Sequence, residues 1–177
     1  MCIRDRITTA GAAADSMIIL PHLATVVTAW STTLWTADKR VIFECSIKTG
    51  ASAVNQTIWA GLKLTNTPVT ATDNDQVFCR VQDTVSSAAF TLVTSNNGTD
   101  TVTVSSVILA AATNYHIKIK VDANKIAYLY INGSLAATSP AALKASVNLI
   151  PYIGVLAGAA AAAEAITGRG IKISQDM

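Results

Sequence analysis

The chain has 177 residues, 51% of them hydrophobic and only 14% charged, with a formal net charge of +2. So little charge beside so much apolar character excludes an intrinsically disordered chain. The lysines and arginines are scattered, with no basic run and no interleaved aromatics, which excludes a nucleic-acid binder. The length fits one domain of roughly 100–200 residues.

The first six residues, MCIRDR, resemble a recurrent start of reading frames from metagenomic assemblies in which sequencing-adaptor sequence has been translated. On that reading residues 1–6 are an artefact, Cys2 carries no meaning, and the native start is expected upstream. Residues 7–37 read as an irregular lead-in with one expected strand, Met17 to Leu20. Pro21 and His22 interrupt the apolar run from Met17 to Val27, so no secretory pattern forms. Residues 38–177 are expected to make a single domain.

From there the strand signals come regularly. Lys39 to Lys48 alternates, with Val41, Phe43, Cys45 and Ile47 on one parity. Thr57 to Leu64 puts Ile58, Ala60, Leu62 and Leu64 on one face and Trp59 and Lys63 on the other. A polar loop over 65–75 leads to a strand from Gln76 to Gln82, where Val77, Cys79 and Val81 share a parity. Ala88 to Thr94, the turn Ser95-Asn96-Asn97-Gly98, Asp100 to Ser105 and a weaker run from Val107 to Ala111 follow.

The clearest signal is YHIKIKVDANKIAYLYINGS, Tyr115 to Ser134. Tyr115, Ile117, Ile119 and Val121 alternate with His116, Lys118, Lys120 and Asp122, the period of a half-buried strand. Asp122 to Lys125 carries turn formers, and Ile126 to Ile131 returns as the second strand. Asn132-Gly133 tolerates the positive φ of the next tight turn. Tyr128 and Tyr130 share a face and are candidates for a cross-strand aromatic pair. Leu135 to Thr138, Val147 to Leu156 and Ile171 to Ser174 complete the set, with Pro151 marking an edge position or a bulge. The Ala-rich stretch from Ala157 to Ala165 reads as a loop or one short turn. No stretch reaches the 18 apolar residues of a membrane span. This many short strands at regular spacing point to an all-β antiparallel sandwich or barrel.

Phe43-Glu44-Cys45-Ser46-Ile47, the hairpin from Val121-Asp122 to Tyr128-Leu129-Tyr130-Ile131-Asn132-Gly133, and Gly170 to Ser174 resemble the early strand, late hairpin and closing strand of a concanavalin A-like (laminin-G-like, legume-lectin-like) jelly-roll β-sandwich. Ile58 to Thr67, Ala71 to Val77, Ile131 to Ser139 and Leu149 to Val155 are similar to phrases in structural proteins of tailed bacteriophages from marine metagenomes. These likenesses imply the fold over about residues 38–174, with the closing strand pairing back near the N-terminal strand.

The chemistry-bearing residues are sparse. Glucanases of the resembled fold carry paired carboxylates on one strand, and glycoside hydrolysis needs such a pair. Here Glu44 stands alone on its strand and Glu164 lies in the Ala tract. His116 is expected on a solvated strand face, and no nucleophile motif accompanies it or His22. Cys45 and Cys79 look inward as free thiols, and pairing between them would require adjacent strands. Asp73-Asn74-Asp75 is the densest acidic cluster, so Asp73 and Asp75 are the calcium candidates. Asp100 and Asp122 would join them only if their loops gather at one end. No other cofactor is implied. Trp59 is either a platform for a sugar ring or a packing residue.

The resemblance implies a non-enzymatic virion structural protein, a capsid decoration or a tail or fibre component. It would reside in the virion and contact other virion proteins or its own copies, with a trimer as the analogous state. The alternative is a lectin-like, carbohydrate-binding module of the extracellular space or cell surface. Its glycan site would use Trp59 or a tyrosine-lined face, together with Asp73, Asn74, Asp75 and Asn97. A glycoside hydrolase of the same fold comes third.

Overall fold

The computed structural model describes residues 4–9, 16–19, 35–51, 56–64, 73–82, 87–157 and 165–177, with the backbone alone at 4–7 and 16–19. Its strands are β1 (Arg4–Thr8), β2 (Ser16–Ile19), β3 (Ile42–Thr49), β4 (Gln56–Lys63), β5 (Gln76–Gln82) and β6 (Ala89–Asn96). They continue with β7 (Thr99–Ile108), β8 (Asn114–Val121), β9 (Ala127–Ile131), β10 (Ser134–Thr138), β11 (Ile150–Ala157) and β12 (Ala165–Ser174). The first sheet runs β1-β12-β3-β8-β9-β10 and the second β2-β11-β4-β5-β6-β7. Every strand pairing is antiparallel.

The core lies between the sheets and follows the alternating parity. Phe43, Cys45 and Ile47 of β3, Ile117 and Ile119 of β8 and Leu129 of β9 face Ile58, Ala60 and Leu62 of β4, Val77, Cys79 and Val81 of β5, and Phe90 and Leu92 of β6. Phe90 and Tyr115 meet across the sheets with ring centroids 4.8 Å apart.

Tight turns fix the register of the hairpins. Asn97 (φ 52°) and Gly98 (φ 79°) join β6 to β7, and Asn132 (φ 52°) and Gly133 (φ 85°) join β9 to β10. Two-residue turns with positive φ match the strand twist, which is why Asn-Gly recurs. Between β8 and β9 the Asp122 carboxylate accepts the N–H groups of Asn124 and Ile126 at 2.8 and 2.9 Å.

One detail differs from the sequence expectation, and another meets it locally. Tyr128 and Tyr130 both lie on β9, so they neighbour each other along one strand rather than across two. Pro151 sits in β11, which lies between β2 and β4. The β2 ladder covers only Ile153 to Leu156, so at Pro151 the side of β11 away from Leu62 has no ladder partner among the described residues. A residue without an N–H is tolerated there. The Ala-rich residues 158–164 and most of the 65–75 loop lie outside the described residues.

Cys45 and Cys79 are buried free thiols on opposing sheets. Burial pushes both thiols well above their ordinary value of 9.0. Each therefore keeps its proton in the fold and releases it in the unfolded chain. Their contribution is fully present below about pH 9 and is lost as the pH rises, by up to about 1.4 kcal/mol per pH unit for each thiol. Denaturant titrations between about pH 8 and about pH 10.5 will show the loss. A Cys45→Ala/Cys79→Ala variant will show a shallower decline, because the remaining groups titrate alike in both proteins.

Candidate functional site

The two sheets treat their outer faces differently. On the second sheet the outward residues Trp59, Phe78, Val93 and Tyr152 form a buried apolar cluster of their own. Trp59 is only 2% exposed. Its ring lies over Gly154, where an added Cβ would come within 2.4 Å of it. Tyr152 packs beside it at 6.3 Å between centroids, with Phe78 at 6.2 Å from Tyr152. Trp59 is thus a packing residue here. Its departure from the Ile58/Ala60/Leu62 parity places it in a second apolar layer, not on an open sugar platform.

The loop residues expected to bind a glycan or calcium are held by the protein itself. The Asp73 carboxylate lies 3.7 Å from Lys63 Nζ. The Asp75 carboxylate accepts the Asn97 N–H at 3.3 Å and lies 3.7 Å from Lys144 Nζ. Lys144 also donates to Asn97 Oδ1 at 2.8 Å, and the Asn74 carbonyl accepts the Gly98 N–H at 2.8 Å. Asn74, Asp75 and Asn97 therefore meet around the β6–β7 turn. Asp73 turns toward Lys63 in the outer layer instead. Asp100 joins the second sheet's rows through Ser95 and Gln76, while Asp122 closes the β8–β9 turn of the first sheet. Among the described residues no three His, Cys, Asp or Glu side chains gather as a metal site. Lysines already supply positive charge beside Asp73 and Asp75, so the donors do not fit a calcium cradle.

The outer face of the first sheet is different. Opposed residues of an antiparallel ladder share a face, and the register sets Lys172, Glu44, Lys118 and Tyr130 in one row across four strands. Arg169, Ser46 and His116 form the next row. Ser174, Ile42, Lys120 and Tyr128 form a third. These outward residues are half-buried or exposed, while their inward neighbours on β3, β8 and β9 are buried and Ile171 and Ile173 of β12 are half-buried.

Glu44 centres the charge. Its carboxylate lies 3.0 Å from Lys118 Nζ and 3.7 Å from His116 Nε2. The hydrogen bond from Lys118, aided by the positive charges of Lys118 and Lys172, holds the Glu44 carboxyl below its usual range. It is thus a fixed anion, unsuited to act as a proton-donating acid. Asn132 Oδ1 accepts the His116 N–H at 2.8 Å and pins the end of β9 to β8.

Two depressions open on this face. One, of about 430 Å³, is lined by Ser46, Asn114, Tyr115, His116, Asn132, Arg169 and Gly170. The other, of about 380 Å³, is bounded by His116, Lys118, Lys120, Tyr130 and Gly133. Both volumes lie in the usual range for small-ligand sites. Polar groups, the His116 imidazole and the Tyr115 and Tyr130 rings line them, and no carboxylate does; Glu44 lines a smaller depression beside them. The surface can bind polar ligands, but it lacks the paired carboxylates of glycoside hydrolysis.

Sequence reasoning marked His116, Lys118 and Lys120 only as a solvated face, offered a tyrosine-lined face only as an alternative to Trp59, and did not join Tyr130 to Ser46 and Arg169. The signal was present strand by strand in the polar parity. The register that aligns four strands was not.

No family model matches the chain, and no curated protein matches it in sequence. Solved structures match it in fold. The carbohydrate recognition domain of Emp46p in its potassium-bound form superposes with a TM-score of 0.65 at 7% identity, covering 99% of this chain and 89% of that one. Alginate lyase A1-II′, a member of polysaccharide lyase family 7, gives 0.61 at 16% identity, covering 99% and 81%. The carbohydrate-binding module CBM66 from Bacillus subtilis gives 0.54 at 9% identity, covering 98% and 95%. The chain is an all-β, concanavalin A-like jelly-roll sandwich.

Proposed function

We propose that the protein is a non-catalytic carbohydrate-binding module that takes a saccharide on the outer face of the first sheet. The observation that carries this reading is the contrast between the faces. The second sheet's aromatics are sealed in a buried layer, whereas Tyr128 and Tyr130 stand on an accessible face among hydrogen-bonding side chains. A tyrosine ring offers an apolar surface to the C–H face of a sugar and a hydroxyl to its rim. The fold neighbours include a carbohydrate recognition domain, a carbohydrate-binding module and a polysaccharide lyase, which supports the reading at the level of fold. An extracellular or cell-surface location belongs to the same proposal. Among the described residues no helix is long and apolar enough to cross a membrane.

The test is a glycan-array screen followed by calorimetry. The expected result is binding to one class of saccharide, weakened about tenfold, or ~1.4 kcal/mol, in Tyr130→Ala. Silence of the folded protein across the array would overturn the proposal. Release of new reducing or unsaturated sugar ends would overturn its non-catalytic part.

A second reading, the virion structural role with other virion proteins or further copies as partners, is favoured by one observation. Val102, Val104 and Ile108 of β7 and Leu135 of β10 are exposed. These edge strands of the two sheets lie side by side, giving the sandwich an apolar rim. Exposed apolar rims of this kind suit subunit contact. Sedimentation of the purified protein tests it: self-association that Val104→Lys abolishes supports assembly, and a monomer at all concentrations speaks against self-assembly.

A further inference from the structure

We propose that the saccharide is anionic, carrying carboxylate or sulfate groups, and that Arg169 is the residue that reads its charge. This rests on the binding reading given above and specifies its ligand. The rows of the first sheet's outer face carry Lys118, Lys120, Arg169 and Lys172, with His116 among them. Glu44 is the only carboxylate in those rows, and it is committed to Lys118 at 3.0 Å. Asp122, at the end of β8, is occupied by the N–H groups of Asn124 and Ile126 and by the Tyr128 hydroxyl, at 2.8 to 3.1 Å. The face therefore holds a surplus of positive charge that its own carboxylates do not balance.

Arg169 stands out within that surplus. No carboxylate pairs with it among the described residues. Its Nε is buried and has no hydrogen-bond partner. A buried donor without an acceptor carries a desolvation cost. The backbone around it is shaped as well. The β12–β3 register shifts between Arg169 and Ile171, and Gly170 takes the left-handed conformation at φ 60°. A bulge of this kind re-aims the neighbouring side chain. Arg169 thereby lines the depression of about 430 Å³ with Ser46, His116 and Asn132. The guanidinium fork matches a carboxylate or sulfate oxygen pair in a bidentate geometry.

The experiment is calorimetric titration of the full chain with a panel of uronate polysaccharides, each compared with its carboxyl-reduced neutral counterpart, and of dextran sulfate compared with dextran. The acidic chains are expected to bind about tenfold more tightly than their neutral counterparts. That preference is expected to shrink as salt screens the contact. Arg169→Gln will lower the affinity for the acidic chain about tenfold with the melting temperature kept. Lys144→Gln, which removes the same charge at the β6–β7 turn, will leave that affinity unchanged. Tighter binding of uronates than of dextran sulfate assigns the charge to a carboxylate, and the reverse assigns it to a sulfate ester. Equal affinity for acidic and neutral partners across the panel would overturn the anionic assignment while leaving saccharide binding in place. Loss of affinity in Lys144→Gln equal to that in Arg169→Gln would overturn the role of Arg169. Failure of the folded protein to bind any saccharide would overturn both.

Discussion

Replacing Trp59 by alanine will lower stability by about 3–5 kcal/mol, the usual cost of emptying a buried aromatic site, and leave saccharide affinity of the folded protein unchanged. The ring is the largest of the fully buried side chains. It fills the layer bounded by Phe78, Val93 and Tyr152. The indole Nε1 is buried without a hydrogen-bond partner, which offsets part of what the ring contributes. Gly154 is the other half of the contact. An alanine there would press its Cβ against the ring, because the indole cannot swing out of a packed layer. Gly154→Ala alone will cost about 1–3 kcal/mol through overpacking. Combined with Trp59→Ala it will cost less than the sum, since the space vacated by the ring accepts the methyl group. Urea titrations of the two single variants and the double variant check this. Additive costs would show that the two residues do not share a contact. Loss of saccharide binding in folded Trp59→Ala would return this ring to the binding site.

The second large effect concerns Lys63, whose side chain is only 2% exposed. Its ammonium lies 3.7 Å from Asp73 and 5.4 Å from the centre of the Tyr152 ring. Burial pulls its pKa below the ordinary 10.5, and the Asp73 charge resists that pull. Lys63→Met removes the cation and leaves Asp73 buried beside an apolar side chain, at an expected cost of about 3–5 kcal/mol. Lys63→Met/Asp73→Asn will recover most of that loss, because a buried pair is weakly stabilising as a whole even when breaking it is expensive. Thermal denaturation of the single and double variants reads the difference. A Lys63→Met protein as stable as the parent would show that Asp73 does not depend on this lysine.

The sequence was most readable where one face of a strand meets core and the other meets water. In β8 the alternation of Tyr115, Ile117, Ile119 and Val121 with His116, Lys118 and Lys120 matches the observed burial residue by residue. Asn97-Gly98 and Asn132-Gly133 announced their turns, because few residues adopt positive φ at two successive positions. The second sheet was harder. All eight residues of β4 are buried, so its outward residues pack as its inward ones do, and parity no longer separates core from surface. That is why Trp59 and Lys63, which look like solvent-facing residues in the sequence, lie inside. The candidate site was least readable. Arg169, Ser46 and His116 come from strands far apart in the chain, and only the β12–β3–β8 register sets them side by side. A bulge at Gly170 then fixes where Arg169 points, and the glycine marks such a shift without giving its register.

The most direct test of the central claim is to follow backbone amide resonances while titrating in a saccharide that the array identifies. Binding on the outer face of the first sheet predicts that the perturbed amides cluster on β12, β3, β8 and β9, around Arg169, Ser46, Lys118 and Tyr130. Perturbations confined to Asn74, Asp75 and Asn97 at the β6–β7 turn, with the first sheet silent, would contradict it.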